Sequence, residues 1–375
     1  MKNFEKSRWD CLKNNYESWW TDKIERPLFN VTIHGQDPDR PMPEGISRGV
    51  FSQYELDVPV EVIIKHLDYQ LSGMKYWGDG YPSYLPDFGA GVNAAFAGAR
   101  HIVRPESVWF EAESQMSFNQ LKLRHQADNV VYRRIAEFYQ KANAYFDGSV
   151  VLGMTHLNNG IDIPARFFNG VDFCLGMIDN PEEIERLVWE NHALFEFYIK
   201  DLSGMMFNNP GYTCWGNILA NEPWMGTQSD FCAMIGPDHF DRFVLPELQA
   251  CVKESPKYNF YHLDGREELI HLDKILEIPN LQVVQWVAGD GELADEAWMW
   301  LYKKIRDAGK KIWYMGPEEN LDRLAETLGS LKGVYWQVSG SLKDEDRLLR
   351  TLERFGIPAD AGMSRPEGTV HGILS

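Results

Sequence analysis

A histidine and an aspartate stand two positions apart in the segment YNFYHLDG, at His262 and Asp264, just before Gly265. The apolar and aromatic residues around them predict a buried strand, and alternate residues of a strand point to the same side. Imidazole nitrogen and carboxylate oxygen are both ligands of divalent metals, so the pair predicts part of a metal site. A third ligand must come from a neighbouring strand end. The candidates for it are His156, Glu222 and Asp290.

A second interpretation of the same pair needs no ion. Asp264 can orient the ring of His262 through a hydrogen bond, or it can cap the helix predicted to begin at Arg266. A lone H-x-D pair recurs by chance, so its spacing does not choose between a metal site and an oriented histidine. Both interpretations place His262 and Asp264 in one pocket.

The elements that would position these residues are strands that alternate with amphipathic helical patterns. We expect strands at residues 27–34, within 74–89, and at 149–156, 211–217, 258–265, 281–287, 311–316 and 333–338. Alternation of this kind predicts a parallel sheet, and eight such strands predict an α/β (β/α)8 TIM barrel. No strand is followed by G-x-G-x-x-G, which argues against an open dinucleotide-binding sheet. We therefore expect one domain over residues 1–375, with residues 35–130 as an irregular N-terminal cap over the barrel mouth.

In a barrel of this class the chemistry lies at the carboxyl ends of the strands. The residues predicted to act in catalysis are His262, Asp264 and Asp290. The residues predicted to bind substrate are Trp77, Asp79, His156, Asn217, Glu222, Trp286 and Trp336. The chain has 13 Trp, 16 Tyr and 20 Phe, many of them near predicted strand ends, which indicates a cavity walled by aromatic rings.

The charge of the chain excludes several partners. With 37 basic and 55 acidic residues the net charge is −18, which repels nucleic acid and anionic membrane surfaces.

No apolar run is long enough for a membrane helix, and the start MKNFEKSRWD has no signal core, so we expect a cytoplasmic protein. The 5 cysteines are scattered without a C-x-x-C motif, which argues against disulfides and against a thiolate-rich zinc site.

Three stretches resemble a known family: FFNGVDFCLGMIDNPEEIERLV (167–188), TQSDFCAMIGPDHFDRFVLPEL (227–248) and YHLDGREELIHLDKILEIPNLQVVQWVAGDG (261–291). The block D-x-x-x-M-I-x-P-x-x-F-x-x-F-x-x-P, from Asp230 to Pro246, is the most specific part. Together they resemble the uroporphyrinogen decarboxylase superfamily, in particular its corrinoid-dependent methyltransferase branch and the trimethylamine corrinoid protein 2-like proteins. The resemblance implies a TIM barrel with an open pocket.

Two departures from the family pattern bear on the reaction. Of the arginine-rich segment that binds tetrapyrrole carboxylates in the decarboxylases, only Arg26 remains, so decarboxylation of that anionic substrate is not expected. The resemblance to the methyltransferase branch implies a zinc site made of an H-x-C motif and a distant cysteine. In this chain Asp264 occupies the position of the motif's cysteine, and the tail GIPADAGMSRPEG contains no cysteine. Carboxylate in place of thiolate makes a harder ligand set, suited to oxygen or nitrogen rather than sulfur.

The resemblance implies a methyltransferase that moves a methyl group between a small methylated substrate and a cobalamin carried by a corrinoid-binding partner protein, with zinc or another divalent metal at His262 and Asp264. A second hypothesis is a retaining glycosidase with Asn221-Glu222-Pro223 as acid/base and Glu318 or Glu319 as nucleophile, about 5 Å apart. A decarboxylase-like protein without the arginines and a non-catalytic binding barrel remain open.

Overall fold

The computed structural model describes residues 4–45, 51–104, 108–289 and 295–362. Within these ranges no helix combines the length and the apolar character needed to cross a membrane. The described strands are β1 Leu28–His34, β2 Met74–Gly78, β3 Ser83–Tyr84, β4 Arg100–Val103, β5 Val108–Glu111, β6 Val151–Leu152, β7 Thr227–Gln228, β8 Phe260–Asp264, β9 Val283–Val287, β10 Lys311–Tyr314 and β11 Val334–Ser341.

The α-helices surround these strands and are linked to them by short 3₁₀ turns and loops. They are α1 Arg8–Trp20, α2 Val60–Ser72, α3 Asn93–Phe96, α4 Val130–Phe146, α5 Asp162–Ala165, α6 Gly170–Asp179, α7 Pro181–Ser203, α8 Pro237–Phe243, α9 Leu245–Glu254, α10 Leu272–Leu276, α11 Met299–Asp307, α12 Leu321–Leu328 and α13 Glu345–Arg354.

The ends of the helices follow their sequence signals. Asn129 caps α4, because its side-chain oxygen accepts hydrogen bonds from the backbone N–H groups of Val131 and Tyr132. Helix α7 begins at Pro181, a residue that loses no hydrogen bond in the first turn of a helix.

The main sheet has seven strands in the order β2-β1-β11-β10-β9-β8-β7. All its pairings are parallel except that of β1 with β2. Strands β3 and β6 form a separate parallel pair, and β4 and β5 a separate antiparallel hairpin. The described strands thus form a mixed α/β structure around a largely parallel sheet. They do not form one closed sheet, so the predicted closed barrel of eight strands is not confirmed.

Two of the expected strands differ from the prediction. Residues 211–217 form only an isolated bridge between Tyr212 and Ala220, and the strand in that part of the chain is β7 instead. The backbone of Asn217 turns into the left-handed region with φ of 49°, which ends any extended run. Its carbonyl oxygen accepts hydrogen bonds from the hydroxyls of Tyr81 and Tyr335, which stabilise the turn. The strand expected within 74–89 is β2, and it runs antiparallel to β1.

The segment 35–130, expected to be an irregular cap, contains regular elements as well as loops. It holds α2, which packs against α4, together with β2, β3, α3 and the β4–β5 hairpin. Ala90 of this segment contributes to the wall of the pocket described below.

The two faces of the sheet carry two separate hydrophobic clusters. Phe260, Val283 and Trp313 belong to one cluster, which extends to α1 and α4. Their chain neighbours Tyr261 and Val284 belong to the other, which packs against α8 to α13. Because successive side chains of a strand alternate between faces, each strand divides its residues between a helix-covered face and an inner face.

Candidate functional site

A pocket of about 610 Å³ lies at the carboxyl ends of β7 to β11. Its polar wall consists of His156, Gln228, Asp230, His262, Asp264, Gln285, Gln337 and Ser339. Trp215 and Trp313 form the aromatic wall. The pocket opens to solvent, since the side chain of Asp264 is 40% exposed.

Three ligand-type side chains converge in this pocket. Asp230, His262 and Asp264 each offer one ligand atom, and these atoms lie within 4.8 Å of one another. Nε2 of His262 lies 3.8 Å from Oδ2 of Asp264. The structure therefore brings His262 and Asp264 together, as their spacing predicts, and adds Asp230 as a third group.

Strand geometry explains why these three residues meet. Within β8, His262 and Asp264 share the inner face with Phe260, whereas Tyr261 and Leu263 face the helices. The register pairs Gln228 of β7 with His262, so Asp230, two residues further along the chain, is carried to the level of Asp264. Gly265 then ends the strand with φ of +83°, a conformation that glycine adopts without strain.

The hydrogen bonds of His262 select its tautomer. Nδ1 of His262 lies 2.6 Å from Oε1 of Gln285, whose Nε2 is directed instead to the sulfur of Met315. Because an amide oxygen only accepts, Nδ1 of His262 carries the proton. In the neutral ring Nε2 then presents its lone pair towards the carboxylates, as a metal-ligating histidine does.

Asp230 is held by two neighbours. Nε2 of Gln228 donates to both carboxylate oxygens of Asp230 at 3.0 Å. The buried carboxylate of Asp162 accepts hydrogen bonds from the backbone N–H groups of Asp230 at 3.1 Å and of Phe231 at 3.0 Å. These contacts fix both the backbone and the side chain of Asp230 at the rim of the pocket.

The charges in the pocket perturb one another. Burial lowers the pKa of His262, but the nearby carboxylate of Asp264 and the charge of Asp230 outweigh burial, so the net pKa lies above the usual value. Burial raises the pKa of Asp230, and the charge of Asp264 adds to that effect. Burial, reinforced by the charge of Asp230, raises the pKa of Glu268 to about 10, so Glu268 is neutral at pH 7.

His156 lies in the wall of the pocket beside Gln228. Its ring stacks on Trp215 with ring centroids 5.0 Å apart, and its Nε2 lies 3.1 Å from Oε1 of Gln228. Because the amide N–H groups of Gln228 point to Asp230, that oxygen is an acceptor and His156 donates to it. Burial lowers the pKa of His156 to about 4, so its ring is neutral at pH 7. His156 thus supports Gln228 and is not among the converging ligands.

Trp286 and Trp336, both expected to bind substrate, lie on the helix-covered face of the sheet. The ring of Trp286 packs against Trp298 at 4.9 Å and that of Trp336 against Phe29 at 4.9 Å. The alternation of strand residues explains this placement, because the inner positions next to them are occupied by Gln285 and Gln337.

Trp77, Asp79 and Asn217 also lie outside the pocket. The indole N–H of Trp77 donates to Glu345 at 2.8 Å. Asp79 is fully buried and forms a two-pronged ion pair with Arg26, at 2.7 and 2.9 Å. Asn217 accepts a hydrogen bond from the side chain of Ser83 at 2.8 Å. Each of the three residues thus has partners away from the substrate cavity.

The carboxylates of the glycosidase hypothesis do not meet. Glu222 lines a different cavity, together with Tyr258 and Asn259, which precede β8. Glu318 and Glu319 follow the carboxyl end of β10, whereas the cavity at Glu222 borders residues before the amino end of β8, and Glu318 accepts a hydrogen bond from Thr351. Asp290, the remaining candidate ligand, lies outside the described residues.

Asp230, Trp215, Trp313 and Gln285 line the pocket but were not among the site residues predicted from the sequence. Asp230 opens the most specific block of the family resemblance, and this was the signal that could have identified it. Trp215 lies within the predicted strand 211–217, and Trp313 lies within the predicted strand 311–316. Neither residue was therefore expected at the end of a strand. Gln285 was overlooked because its neighbour Trp286 is the more conspicuous residue.

Comparison with known proteins reveals a shared fold. The chain is similar in structure to a methyltransferase from Methanosarcina mazei, with a TM-score of 0.59 over 92% of this chain and 99% of that chain. Sequence identity is 11%, so the similarity shows the fold alone. No protein-family model matches the sequence. No curated protein sequence matches it significantly.

Proposed function

We propose that the chain is a methyltransferase that removes a methyl group from a small compound and passes it to the cobalt of a corrinoid carried by a partner protein. The convergence of Asp230, His262 and Asp264 in an open pocket is the observation that carries this proposal. The fold shared with a methyltransferase over almost the whole chain and the family resemblance of residues 167–291 support it.

The three side chains fit a divalent metal. Asp230 and Asp264 offer carboxylate oxygens, and His262 offers Nε2 with its other nitrogen already bonded to Gln285. Catalytic metal sites commonly have three protein ligands and leave one position open to substrate. A cation bound there supplies Lewis-acid polarisation of the substrate atom that carries the methyl group. The side chains of Asp230, His262 and Asp264 would hold such a cation at the wall of the cavity.

The ligand set favours a methyl group on oxygen or nitrogen. Two carboxylates and an imidazole are harder donors than the thiolates of a thiol-activating zinc centre, and hard sites bind oxygen and nitrogen better than sulfur. Trp215 and Trp313 add flat apolar walls beside the metal ligands. A small methoxy or methylamino compound, neutral or cationic, therefore fits both the chemistry of the wall and the net charge of −18.

A closed barrel remains our interpretation of the fold. Backbone hydrogen bonds from Gly153 to Tyr84 and from Met154 to Thr213 continue the β3–β6 pair towards the segment that precedes β7. The backbone N–H of Asp79 donates to the carbonyl of Phe29, which links the chain before β3 to β1. These contacts favour a distorted (β/α)8 barrel with short strands between β1 and β7.

The test is methyl transfer to free cob(I)alamin, followed by the change in its visible absorption. The purified protein is loaded with Zn²⁺ or Co²⁺ and offered a panel of methoxy compounds, methylamines and methyl thioethers. We expect turnover with an oxygen- or nitrogen-linked methyl compound, and a loss of at least about 100-fold in His262→Ala, because one ligand of a catalytic metal is removed.

The matched control removes an exposed carboxylate elsewhere. Asp238→Asn changes a side chain in the first turn of α8, away from the pocket, and should leave the rate unchanged. Turnover that survives in both His262→Ala and Asp264→Asn would refute the metal-dependent mechanism. Transfer from thioethers alone would refute the assignment of the substrate class.

A further inference from the structure

A second group of ligand-type side chains lies between α7 and α9, away from the pocket. It consists of His192 on α7 and of Glu247 and Cys251 on α9. Glu247 and Cys251 are one helical turn apart, so both project from the same face of α9 towards α7. Glu247 and Cys251 are buried, and the side chain of His192 is 14% exposed.

The three ligand atoms form a compact triangle. Oε1 of Glu247 lies 3.0 Å from Nδ1 of His192 and 3.0 Å from Sγ of Cys251, and the sulfur lies 3.6 Å from the nitrogen. Ligand atoms around a tetrahedral Zn²⁺ are separated by about 3.4–3.6 Å, given the usual metal–ligand bond lengths. The sulfur–nitrogen distance already matches, and the carboxylate oxygen must retreat by only about half an ångström.

The carboxylate of Glu247 is oriented by an outer partner. Nδ2 of Asn159 donates to Oε2 of Glu247 at 2.7 Å, which leaves Oε1 directed at His192 and Cys251. The backbone at Gly160 also approaches Oε2 so closely that a Cβ added there would lie 2.8 Å from it. Metal-ligating carboxylates in proteins are held by outer partners in the same manner.

The surroundings of the triangle favour a cation. The charges of Glu196 and Glu254 act on His192, in addition to that of Glu247. In the part of the chain that the structure describes, none of these three carboxylates forms an ion pair with lysine or arginine. A cavity of about 120 Å³ borders Cys251, Glu196 and Glu254, and it provides room for a fourth ligand such as water or a second carboxylate.

We infer that His192, Glu247 and Cys251 form a second divalent metal site, best suited to Zn²⁺, separate from the pocket at Asp230, His262 and Asp264. Zinc accepts a mixed set of nitrogen, oxygen and sulfur ligands. Magnesium and calcium are bound by oxygen ligands and do not favour a thiolate. On binding, the thiol of Cys251 loses its proton to solvent and coordinates as thiolate, so metal uptake releases a proton. The inference does not depend on the proposed methyl transfer.

Co²⁺ titration of protein stripped with a chelator tests the inference, because a thiolate ligand gives Co²⁺ a charge-transfer band in the near ultraviolet. We expect one equivalent of this band in the unaltered protein and in Asp230→Asn, which impairs only the pocket. Cys251→Ser should lose the band, and its affinity for Zn²⁺ should fall by more than the roughly 10–100-fold typical of an outer partner. Cys174→Ser, on α6, is the matched control and should keep both.

Two results would overturn the inference. One is the absence of a thiolate band in the unaltered protein at saturating Co²⁺, a measurement that requires no variant to fold. The other is a band that persists in Cys251→Ser. A metal signal that lacks the band and disappears in Asp230→Asn would assign the cation to the pocket alone, and would leave His192, Glu247 and Cys251 as a hydrogen-bonded cluster.

Discussion

The side-chain amide of Gln285 determines which nitrogen of His262 can bind a metal. Its oxygen accepts the proton on Nδ1 at 2.6 Å, and this leaves Nε2 free to face the carboxylates. We expect Gln285→Leu to weaken divalent metal binding by about 10–100-fold, the range found when an outer partner of a ligating histidine is removed. Isothermal titration with Zn²⁺ measures the change.

Gln337 provides the matched control for that experiment. It lines the same pocket, but Oε1 of Gln285, not Gln337, is bonded to His262. Gln337→Leu should therefore bind Zn²⁺ with nearly unchanged affinity. Equal losses in the two variants would show that the polarity of the pocket, and not the tautomer of His262, governs binding.

His156 makes folding stability depend on pH. Burial lowers its pKa from 6.5 to about 4 in the folded protein, so between these values the unfolded chain binds a proton that the folded one excludes. The free energy of unfolding should thus fall as pH decreases from 6.5 to 4. For this residue the loss is on the order of 3 kcal/mol.

Urea unfolding of metal-free protein at pH 7 and pH 4 measures this effect. His156→Gln, which cannot titrate, should show a smaller loss of stability than the unaltered protein over that interval. His34→Gln, which changes an exposed histidine at the end of β1, should follow the unaltered protein. If His156→Gln kept the full pH dependence, burial of a neutral ring at His156 would not be its cause.

At the scale of elements, the amino-terminal ends of β7 and β8 and the segment before β7 pack around Phe260. Its ring contacts Trp215 at 4.8 Å and Trp313 at 5.3 Å, the two aromatic walls of the pocket. A Cβ on Gly226 would lie 2.7 and 2.8 Å from two carbons of the Phe260 ring. Gly226→Ala should therefore destabilise the fold by about 1–3 kcal/mol, because overpacking displaces a buried ring.

Gly236→Ala is the control for Gly226→Ala. No atom lies within 4 Å of a Cβ added at Gly236, and its substitution should cost less than about 1 kcal/mol. Thermal unfolding of both variants compares them directly. A Gly226→Ala protein as stable as Gly236→Ala would mean that Phe260 can move, and that the floor of the pocket is not rigid.

The sequence predicted the strands of the carboxyl-terminal half better than those of the amino-terminal half. The expected segments 258–265, 281–287 and 311–316 contain β8 to β10, and 333–338 covers the first five residues of β11, because apolar runs between helical patterns are a local signal. The strand predicted at residues 211–217 was wrong, because the course of this segment is set by tertiary hydrogen bonds to the carbonyl of Asn217. The antiparallel pairing of β2 with β1 likewise has no local signal.

For the site, the sequence predicted the pairing of His262 and Asp264 but not the whole wall. The H-x-D spacing along one strand fixes their common face. The approach of Asp230 depends on the register between β7 and β8, which joins residues that are distant in the chain. Trp286 was expected in the pocket. Neighbouring residues of β9 point to opposite faces of the sheet, and it is Gln285 that points into the pocket.

At the scale of the whole molecule, two groups of ligand-type residues are linked through the side chains of Asn159 and Gln228. Asn159 donates to Glu247 in the cluster between α7 and α9 and accepts from the backbone N–H of Gln228. Gln228 in turn donates to Asp230 in the pocket. This chain of hydrogen bonds connects the helix layer with the wall of the pocket through buried atoms.

The most direct test of the central claim is the metal content of the pocket. In a Cys251→Ser background, which removes the thiolate of the cluster between α7 and α9, we predict one equivalent of Zn²⁺ per chain after equilibrium dialysis against a zinc buffer. The same protein carrying Asp230→Asn should retain almost none, and Asp238→Asn should retain the full equivalent. Zinc stoichiometry that is equal in all three proteins would contradict the claim that Asp230, His262 and Asp264 together hold the metal.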